Sequence, residues 1–364
     1  MKILYVTTVS DTMGFFIPHI KMLLEEGHSV DMACNIGKPI PRELLNMGCK
    51  AYNIEFQRSP FKAKNLKAYK KLKRLLQEND YDVVHTHTPV ASVFTRFACK
   101  SIKKIKVIYT AHGFHFYKGA PIENWLIYFP VEKWLSRYTD VLITINNEDY
   151  TRATKLFNAG KVEYIPGVGI DTKKIVEVVN NEVAKRNELG IPKDAFIILS
   201  IGELNKNKNH ETVIKTLAQL NNNKIYYLIC GQGPLKSYLC NLIKRLGLED
   251  QIKLLGFRQD IAEICMLSDL FVFPSYREGL SVALMEAMSC GLPVVCSNIR
   301  GNTDLIENKK GGYLVEPTDI NGFAKSIGQI IQRNDLRKSF GFYNKETIEF
   351  YDMKNVLNQL RKIY

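Results

Sequence analysis

Two carboxylates eight positions apart, Glu278 and Glu286, lie in the stretch YREGLSVALMEAMSCGLPVV at residues 276–295. The apolar run before them, ending near residue 274, reads as a buried strand. Arg277, Glu278 and Gly279 then read as a loop, and Ser281 as the N-cap of a helix. A helix that starts directly after a strand offers unpaired backbone N–H groups and a positive dipole end, which suit a phosphate. Gly279 lets the backbone come close to a ligand. Glu286 follows Glu278 by about two turns, and helical side chains lean back toward the N-terminus, so its carboxylate reaches over the same mouth. A carboxylate that accepts two hydrogen bonds suits a vicinal diol such as a ribose. A phosphate-binding helix start with sugar-reading carboxylates on both sides describes a nucleotide-sugar site. The plainer reading of Glu286 alone is a solvated glutamate in mid-helix, where that residue is ordinary.

Histidines mark a second region. His112, in YTAHGFHF, follows a strand and precedes Gly113, which predicts that it projects into a cleft, whereas a single histidine is more often a structural hydrogen-bonder. His85, His87 and His115 come from neighbouring strand-end loops. Four such histidines raise a metal site as one reading, disfavoured because no carboxylate or cysteine joins them. In CGQGP, Gly231 and Gly233 predict a sharp strand-to-helix turn and only weakly a phosphate contact.

The elements that must position these residues are legible as an alternation. Short β-branched runs such as KILYVTTV, DVVHTHT, FIILSIG and PVVCSN are separated by helical periods such as HETVIKTLAQLNNN. Strand, helix, strand with parallel crossovers means α/β sheets covered on both faces. The alternation lapses through IVEVVNNEVAKRNELGIPKDA and restarts at Phe196. This predicts two doubly wound Rossmann-like domains, residues 1–168 and 190–344, facing across a cleft, with ligands at the carboxyl ends of the strands. At 364 residues each domain can bury its own core.

Composition narrows the setting. No apolar run approaches the roughly 18 residues of a membrane span. The eight cysteines (Cys34, Cys49, Cys99, Cys230, Cys240, Cys265, Cys290 and Cys296) lie singly on apolar segments, which suggests free thiols in a reducing, cytosolic compartment. The net charge is +13, and residues 1–166 hold +9 of it. Eight cations run from Arg58 to Arg74 with no acid between them, on a segment whose Leu66, Tyr69, Leu72, Leu75 and Leu76 recur at helical spacing. A basic amphipathic helix of this kind fits an anionic membrane surface or a phosphate-bearing partner, and equally a solvated face on a core-packed helix. Nucleic acid is disfavoured because no aromatic stacking platforms are interleaved with the lysines. Trp125, Tyr128, Phe129 and Trp134 in NWLIYFPVEKWLSRYTD read as core packing ahead of a lipid-facing surface.

REGLSVALMEAMSCGLPVV, SIGELNKNKNH, LGFRQDI, YTAHGFHFYKG, DVVHTHTPVAS and YIPGVGID together resemble the retaining nucleotide-sugar glycosyltransferases of family four, over nearly the whole chain. The resemblance implies the glycosyltransferase-B (GT-B) fold, a C-terminal helix (345–364) that returns to the first domain, and metal-independent transfer without a cofactor. It implies that Glu286 holds the ribose and that Glu278, Gly279, Leu280 and Ser281 contact the donor sugar and distal phosphate. Lys208, beside Gly202 in SIGELNKNKNH, neutralises the diphosphate, and Phe257 and Arg258 lie where the base is read. Where many members carry an arginine, this chain has Glu203, and Arg277 or Arg258 is the candidate substitute. His112 stands beside the transferring sugar. Gly14, in SDTMGFF, marks where the acceptor hydroxyl meets the donor, and His85, His87 and His115 line the acceptor pocket.

The expected partners are a nucleotide-sugar donor, probed first as a UDP-hexose or UDP-N-acetylhexosamine, and a polyprenyl-linked or oligosaccharide acceptor. A third is the anionic inner membrane surface, met through segment 58–74 by a cytoplasmic, peripheral enzyme. Two rivals are a nucleotide-sugar epimerase of the same architecture and a non-catalytic module for membrane surfaces or polyanions. The first needs acid–base residues on both sides of a sugar carbon, and only histidines offer themselves. The second leaves Lys208, Glu278 and Glu286 unexplained.

Overall fold

A computed structural model describes residues 1–102, 104–177 and 181–364. It divides into two units: Met1–Gly169 with Met353–Tyr364, and Ile170–Asp352. Seven strands form the first sheet: β1 (Lys2–Val9), β2 (Ser29–Asn35), β3 (Ala51–Asn53), β4 (Val83–His87), β5 (Lys106–Ala111), β6 (Val141–Thr144) and β7 (Lys161–Tyr164). Six form the second: β8 (Phe196–Ile201), β9 (Ile225–Cys230), β10 (Ile252–Gly256), β11 (Leu270–Phe273), β12 (Val294–Ser297) and β13 (Gly312–Val315). The spatial orders are β3-β2-β1-β4-β5-β6-β7 and β10-β9-β8-β11-β12-β13, with all named pairs parallel. In each sheet the order reverses beside the first strand of the unit, between β1 and β4 and between β8 and β11. Such a reversal opens a crevice at the strand ends.

The central strands are buried on both faces, which is why they read as near-continuous apolar runs. Ile3 to Val6 and Leu270 to Phe273 are all at or near zero exposure. Each sheet is covered on both faces by helices whose apolar sides complete two core clusters.

The predicted domain limits shift in two places. The polar stretch after residue 170 is not a bare linker: it forms helices Thr172–Val176 and Glu182–Leu189, both in the second unit. Residues 178–180, inside that stretch, lie outside the described residues. The predicted returning helix 345–364 is two elements, Asn334–Ile348 and Met353–Arg361. The first stays with the second unit because Asn344 donates to Leu292 O (2.7 Å) and Gly311 O (2.8 Å), and because Tyr351 donates to Asp304 O (2.8 Å). Only residues from Met353 onward join the first unit. There Val356, Leu360 and Ile363 enter its core and Tyr364 meets Tyr5, hydroxyl to hydroxyl, at 2.6 Å.

The basic run becomes helix Lys64–Glu78, preceded by a turn. Its buried stripe is Asn65, Ala68, Leu72, Leu75 and Leu76, whereas Leu66, expected on that stripe, points outward at 57% exposure. Asn65 takes the inward place because its side chain accepts from Gln57 N (2.8 Å) and donates to Ser59 O (2.9 Å), which caps the turn from within. In helix Ile122–Ser136, Trp125, Tyr128 and Phe129 pack on a satellite core with Phe114 and Phe116, as expected, while Trp134, 40% exposed, lies against Phe97 and Tyr138 instead. All eight cysteines are free thiols, and six of them are buried.

Candidate active site

In the second unit the loops after β8 and β11 meet at the switch point and are latched together. Tyr276 N donates to Asn207 O (2.8 Å), and the Asn207 amide donates to Arg277 O (2.9 Å). Asn209, in a left-handed conformation (φ 54°), donates to Pro274 O (3.0 Å) and Pro317 O (2.8 Å). These latches fix Lys208 between them. Its Nζ lies 2.7 Å from Glu278 Oε1 and 4.6 Å from the centre of the Phe273 ring. The pair is mostly shielded, with 19% and 12% side-chain exposure, so its attraction is screened less than that of a surface pair. A Cβ at Gly202 would stand 3.0 Å from Lys208 Cδ and press the lysine stem aside. Gly231 and Gly233, by contrast, are demanded by backbone, since a Cβ would meet Gly202 O at 1.9 Å and Leu204 O at 2.5 Å. The turn reading of CGQGP therefore has a steric cause.

Beyond Glu278 and Gly279, the Ser281 hydroxyl caps helix Val282–Ser289 by accepting from Leu284 N at 3.4 Å. Glu286 lies inside this helix, half-buried, and burial pushes its carboxyl up to about 7. At neutral pH the group is poised between donating and accepting. Leu280 is half-buried and packs on the core under the helix.

The cations expected to replace the family arginine fare differently. Arg258 is committed to carboxylates: its Nε donates to Asp260 (2.7 Å) and its guanidinium to Glu188 (2.7 Å), so it is no free diphosphate ligand. Phe257 beside it is exposed. Arg277 is exposed, and its carbonyl is held by Asn207. Glu203 is exposed and accepts from Asn205 (2.9 Å). Arg300, which the sequence reading passed over, is buried on the loop after β12, and its Nε donates to Glu278 O at 3.2 Å. Next to it Gly301 (φ 82°) lets that loop slide under Gly279, whose carbonyl a Cβ would strike at 2.4 Å. Its signal was position: like the other site residues, Arg300 comes directly after a strand.

In the first unit the switch point is furnished otherwise. A 3-10 helix, Ser10–Phe16, follows β1, and Gly14 sits exposed on it with open space around its Cβ position. Thr8 and Thr88 tie the ends of β1 and β4, hydroxyl to hydroxyl, at 2.7 Å. Thr88 holds φ 65°, a strained value for a non-glycine residue and one found disproportionately at functional sites.

Under these ends lies a histidine cluster. His85 is fully buried, with Nδ1 on the Tyr364 hydroxyl and Nε2 2.8 Å from Thr110 Oγ1. With His19, His87 and His112 it lines only a small cavity of about 10 Å³. His87 is also buried, stacked on Phe16 with centroids 4.0 Å apart, with Nδ1 3.2 Å from Nε2 of the half-buried His112. His19, on helix Ile17–Glu25, completes the cluster through Val168 O (2.9 Å). Nothing in its local sequence distinguishes it from a core residue. Burial holds His19 and His112 down to about 4, and His85 and His87 well below the usual histidine value, so all four are neutral at pH 7. Among the described residues no three His, Cys, Asp or Glu side chains are placed to hold a metal ion. His115 stands apart, stacked on Tyr128 at 4.6 Å, and of the four expected histidines it alone lines the unit's main apolar cavity.

Two family models match the chain: glycosyl transferases group 1 over residues 181–347, and glycosyl transferase 4-like over residues 2–146. EpsD of Bacillus subtilis strain 168, described as a glycosyltransferase, is 35% identical over 370 residues, covering 100% of this chain and 96% of EpsD. The chain belongs to family four of the glycosyltransferases. It is also similar to the UDP-Gal:alpha-D-GlcNAc-diphosphoundecaprenol alpha-1,3-galactosyltransferase of Escherichia coli, at 29% identity over 96% of this chain and 92% of the enzyme. Among solved structures, Anabaena HepE in complex with UDP and glucose superposes with a TM-score of 0.83 at 21% identity, covering 100% of this chain and 99% of HepE. WaaG, a glycosyltransferase involved in lipopolysaccharide biosynthesis, gives 0.79 at 17% identity, covering 99% of each chain. The GT-B fold class expected of a family-four member is thus the observed one.

Within that family fold, the residues expected at the donor end gather unevenly. Gly202, Lys208, Glu278, Gly279 and Ser281 are brought together on two latched loops and one helix start, with Glu286 farther along that helix. Arg258 stands aside in its own ion-pair group with Lys185, Glu188 and Asp260.

Proposed function

We propose that the protein moves a sugar from a nucleotide diphosphate sugar, a UDP-hexose or UDP-N-acetylhexosamine, to a lipid-linked or polysaccharide acceptor in bacterial surface glycan synthesis. Transfer retains the anomeric configuration and needs no metal. The observation that carries this reading is the Lys208–Glu278 pair at 2.7 Å, latched where β8 and β11 diverge. A shielded ammonium beside a helix start is a preorganised receptor for the charge that builds on a departing diphosphate. Phosphate oxygens share the Lys208 ammonium with Glu278, while the N–H groups of Gly279, Leu280 and Ser281 take the distal phosphate and Glu286 accepts the ribose hydroxyls. The acceptor hydroxyl, brought up past Gly14 and beside the neutral His112, attacks the face from which the diphosphate leaves, and a diphosphate oxygen takes its proton. Positioning and charge stabilisation do the chemistry.

The E. coli relative supports a lipid-linked acceptor and a UDP donor, since its name specifies both. The exposed lysines of helix Lys64–Glu78 support peripheral attachment to an anionic membrane. A panel of nucleotide sugars scored for thermal protection tests the donor assignment, because a ligand bound by the native state alone raises stability by mass action. The cognate donor protects the wild type and fails to protect Glu286→Ala. Equal protection of both proteins would overturn the ribose assignment, and sugar isomerisation without acceptor would favour an epimerase.

A further inference from the structure

The main apolar cavity of the first unit, about 510 Å³, has no part in the donor site. Its size falls in the range of about 300–1,000 Å³ of small-molecule sites. Three segments wall it: residues 58–61, helix Pro89–Cys99 through Val90, Val93 and Phe94, and helix Ile122–Ser136 through Ile127 and Val131. The floor is polar in composition yet closed. Glu132 accepts from the buried Arg96 (2.8 Å) and from Tyr109 (3.4 Å), and the Thr8 and Thr88 hydroxyls are spent on each other. An occupant is therefore offered hydrocarbon contacts and few free polar partners.

Apolar and cationic side chains meet at this lining. Phe61, in the lining, is 78% exposed, and Leu126, the chain neighbour of the lining Ile127, is 69% exposed. Arg58, on the same segment as Phe61, lines the cavity too, and Lys62 and Lys64 stand exposed in a run free of acids. Apolar depth with a cationic lip is complementary to an amphiphile with a hydrocarbon tail and a multiply charged anionic head.

We propose that this cavity binds the first isoprene units of an isoprenoid diphosphate, with the diphosphate at Arg58. The proposal rests on the lipid-linked acceptor reading and deepens it: the enzyme grips the lipid itself, apart from any attraction of the membrane surface. Each methylene buried is worth about a fourfold gain in affinity, so two or three already make the tail measurable.

The test is titration calorimetry with farnesyl diphosphate and inorganic diphosphate in vesicle-free buffer, on the full chain. Farnesyl diphosphate is expected to bind the wild type at least tenfold more tightly than inorganic diphosphate. Val93→Trp, which fills the cavity, is expected to bring the two within about twofold, and Arg58→Ala to weaken both. Ile127→Asp, at the exposed rim, provides a second variant that leaves the core intact and is expected to cut the tail's advantage at least threefold. Equal affinities in the wild type would overturn the proposal. So would a tail preference that survives both Val93→Trp and Ile127→Asp, or one that appears only when vesicles are added. UDP protection against thermal unfolding is measured in parallel. If UDP fails to protect while farnesyl diphosphate keeps its advantage, the donor reading falls and the cavity stands; the reverse pair of results overturns the cavity alone.

Discussion

The two units solve one topological problem with opposite chemistry. Both reverse their strand order beside the first strand and both place functional candidates at that reversal. In the second unit the crevice holds fixed charge, an ammonium 2.7 Å from a carboxylate, with a second carboxyl farther along the helix. In the first it holds neutral imidazoles, His87 stacked on Phe16, and the same unit carries an apolar cavity. On the proposed function, the same kind of parallel sheet would serve a polyanion at one reversal and an uncharged or lipid-borne group at the other. What the fold supplies is a set of strand ends; the side chains decide what meets them.

Acid separates the units most strongly. His19, His85, His87 and His112 have folded-state values below the unfolded value near 6.5, so the unfolded chain binds more protons and stability falls as pH drops from about 6.5. Each contributes a slope approaching about 1.4 kcal/mol per pH unit across that window. For the buried His19, whose value is held to about 4, this accumulates to about 3 kcal/mol by pH 4. The second unit holds one such residue, His210. Its Glu286, raised to about 7, works the other way and adds stability as pH falls from 7 toward 4.5. Hydrogen exchange followed from pH 7 to 4 is expected to show amides of β4 and β5 losing protection while those of β8 and β11 keep theirs. Parallel loss in both sheets would erase the contrast.

Within the second unit, Lys208→Ala is expected to lower turnover by about 10²–10³, the cost of deleting one preorganised partner of a developing anion. Melting curves of the variant check that the loss is not unfolding, since Glu278 keeps its link to Arg300 through the backbone. A gentler probe is the pH dependence of donor affinity. Ribose hydroxyls favour ionised Glu286, so binding expels a proton below pH 7, and affinity is expected to fall toward tenfold per pH unit between 7 and 5. Glu286→Gln should flatten that dependence. A slope that persists in Glu286→Gln would assign it to another group.

The sheets and the helix cap were legible because they are local. Buried parallel strands are mostly β-branched or apolar, and Ser281 at a strand-to-helix turn has one evident use. What stayed hidden depends on contacts far along the chain. Leu66 and Asn65 exchange places because Asn65 ties down a turn that no periodicity reveals. The chain crosses units at 352/353 rather than near 345 because Asn344 and Tyr351 find carbonyls some 30 to 50 residues away. Arg258 looked like a free cation until Glu188, 70 positions earlier, arrived beside it. His19 and Arg300 were passed over for the same reason: their meaning lies wholly in their neighbours.

The smallest effect concerns Gly14 and tests the first unit without disturbing it. The residue has no positive φ, and a Cβ there would find open space, so neither conformation nor packing explains a glycine. Replacing it with alanine restricts the unfolded chain and should raise stability by about 0.4–1 kcal/mol. If the acceptor hydroxyl passes over this backbone, the added methyl group stands in its path. Gly14→Ala should then bind nucleotide as the wild type does, melt slightly higher, and transfer sugar several-fold more slowly with an unchanged rate of donor hydrolysis to water. A variant that is more stable and equally fast in transfer would remove Gly14 from the acceptor path. The strained Thr88, tied to Thr8 across the same reversal, would then be the backbone that the acceptor meets.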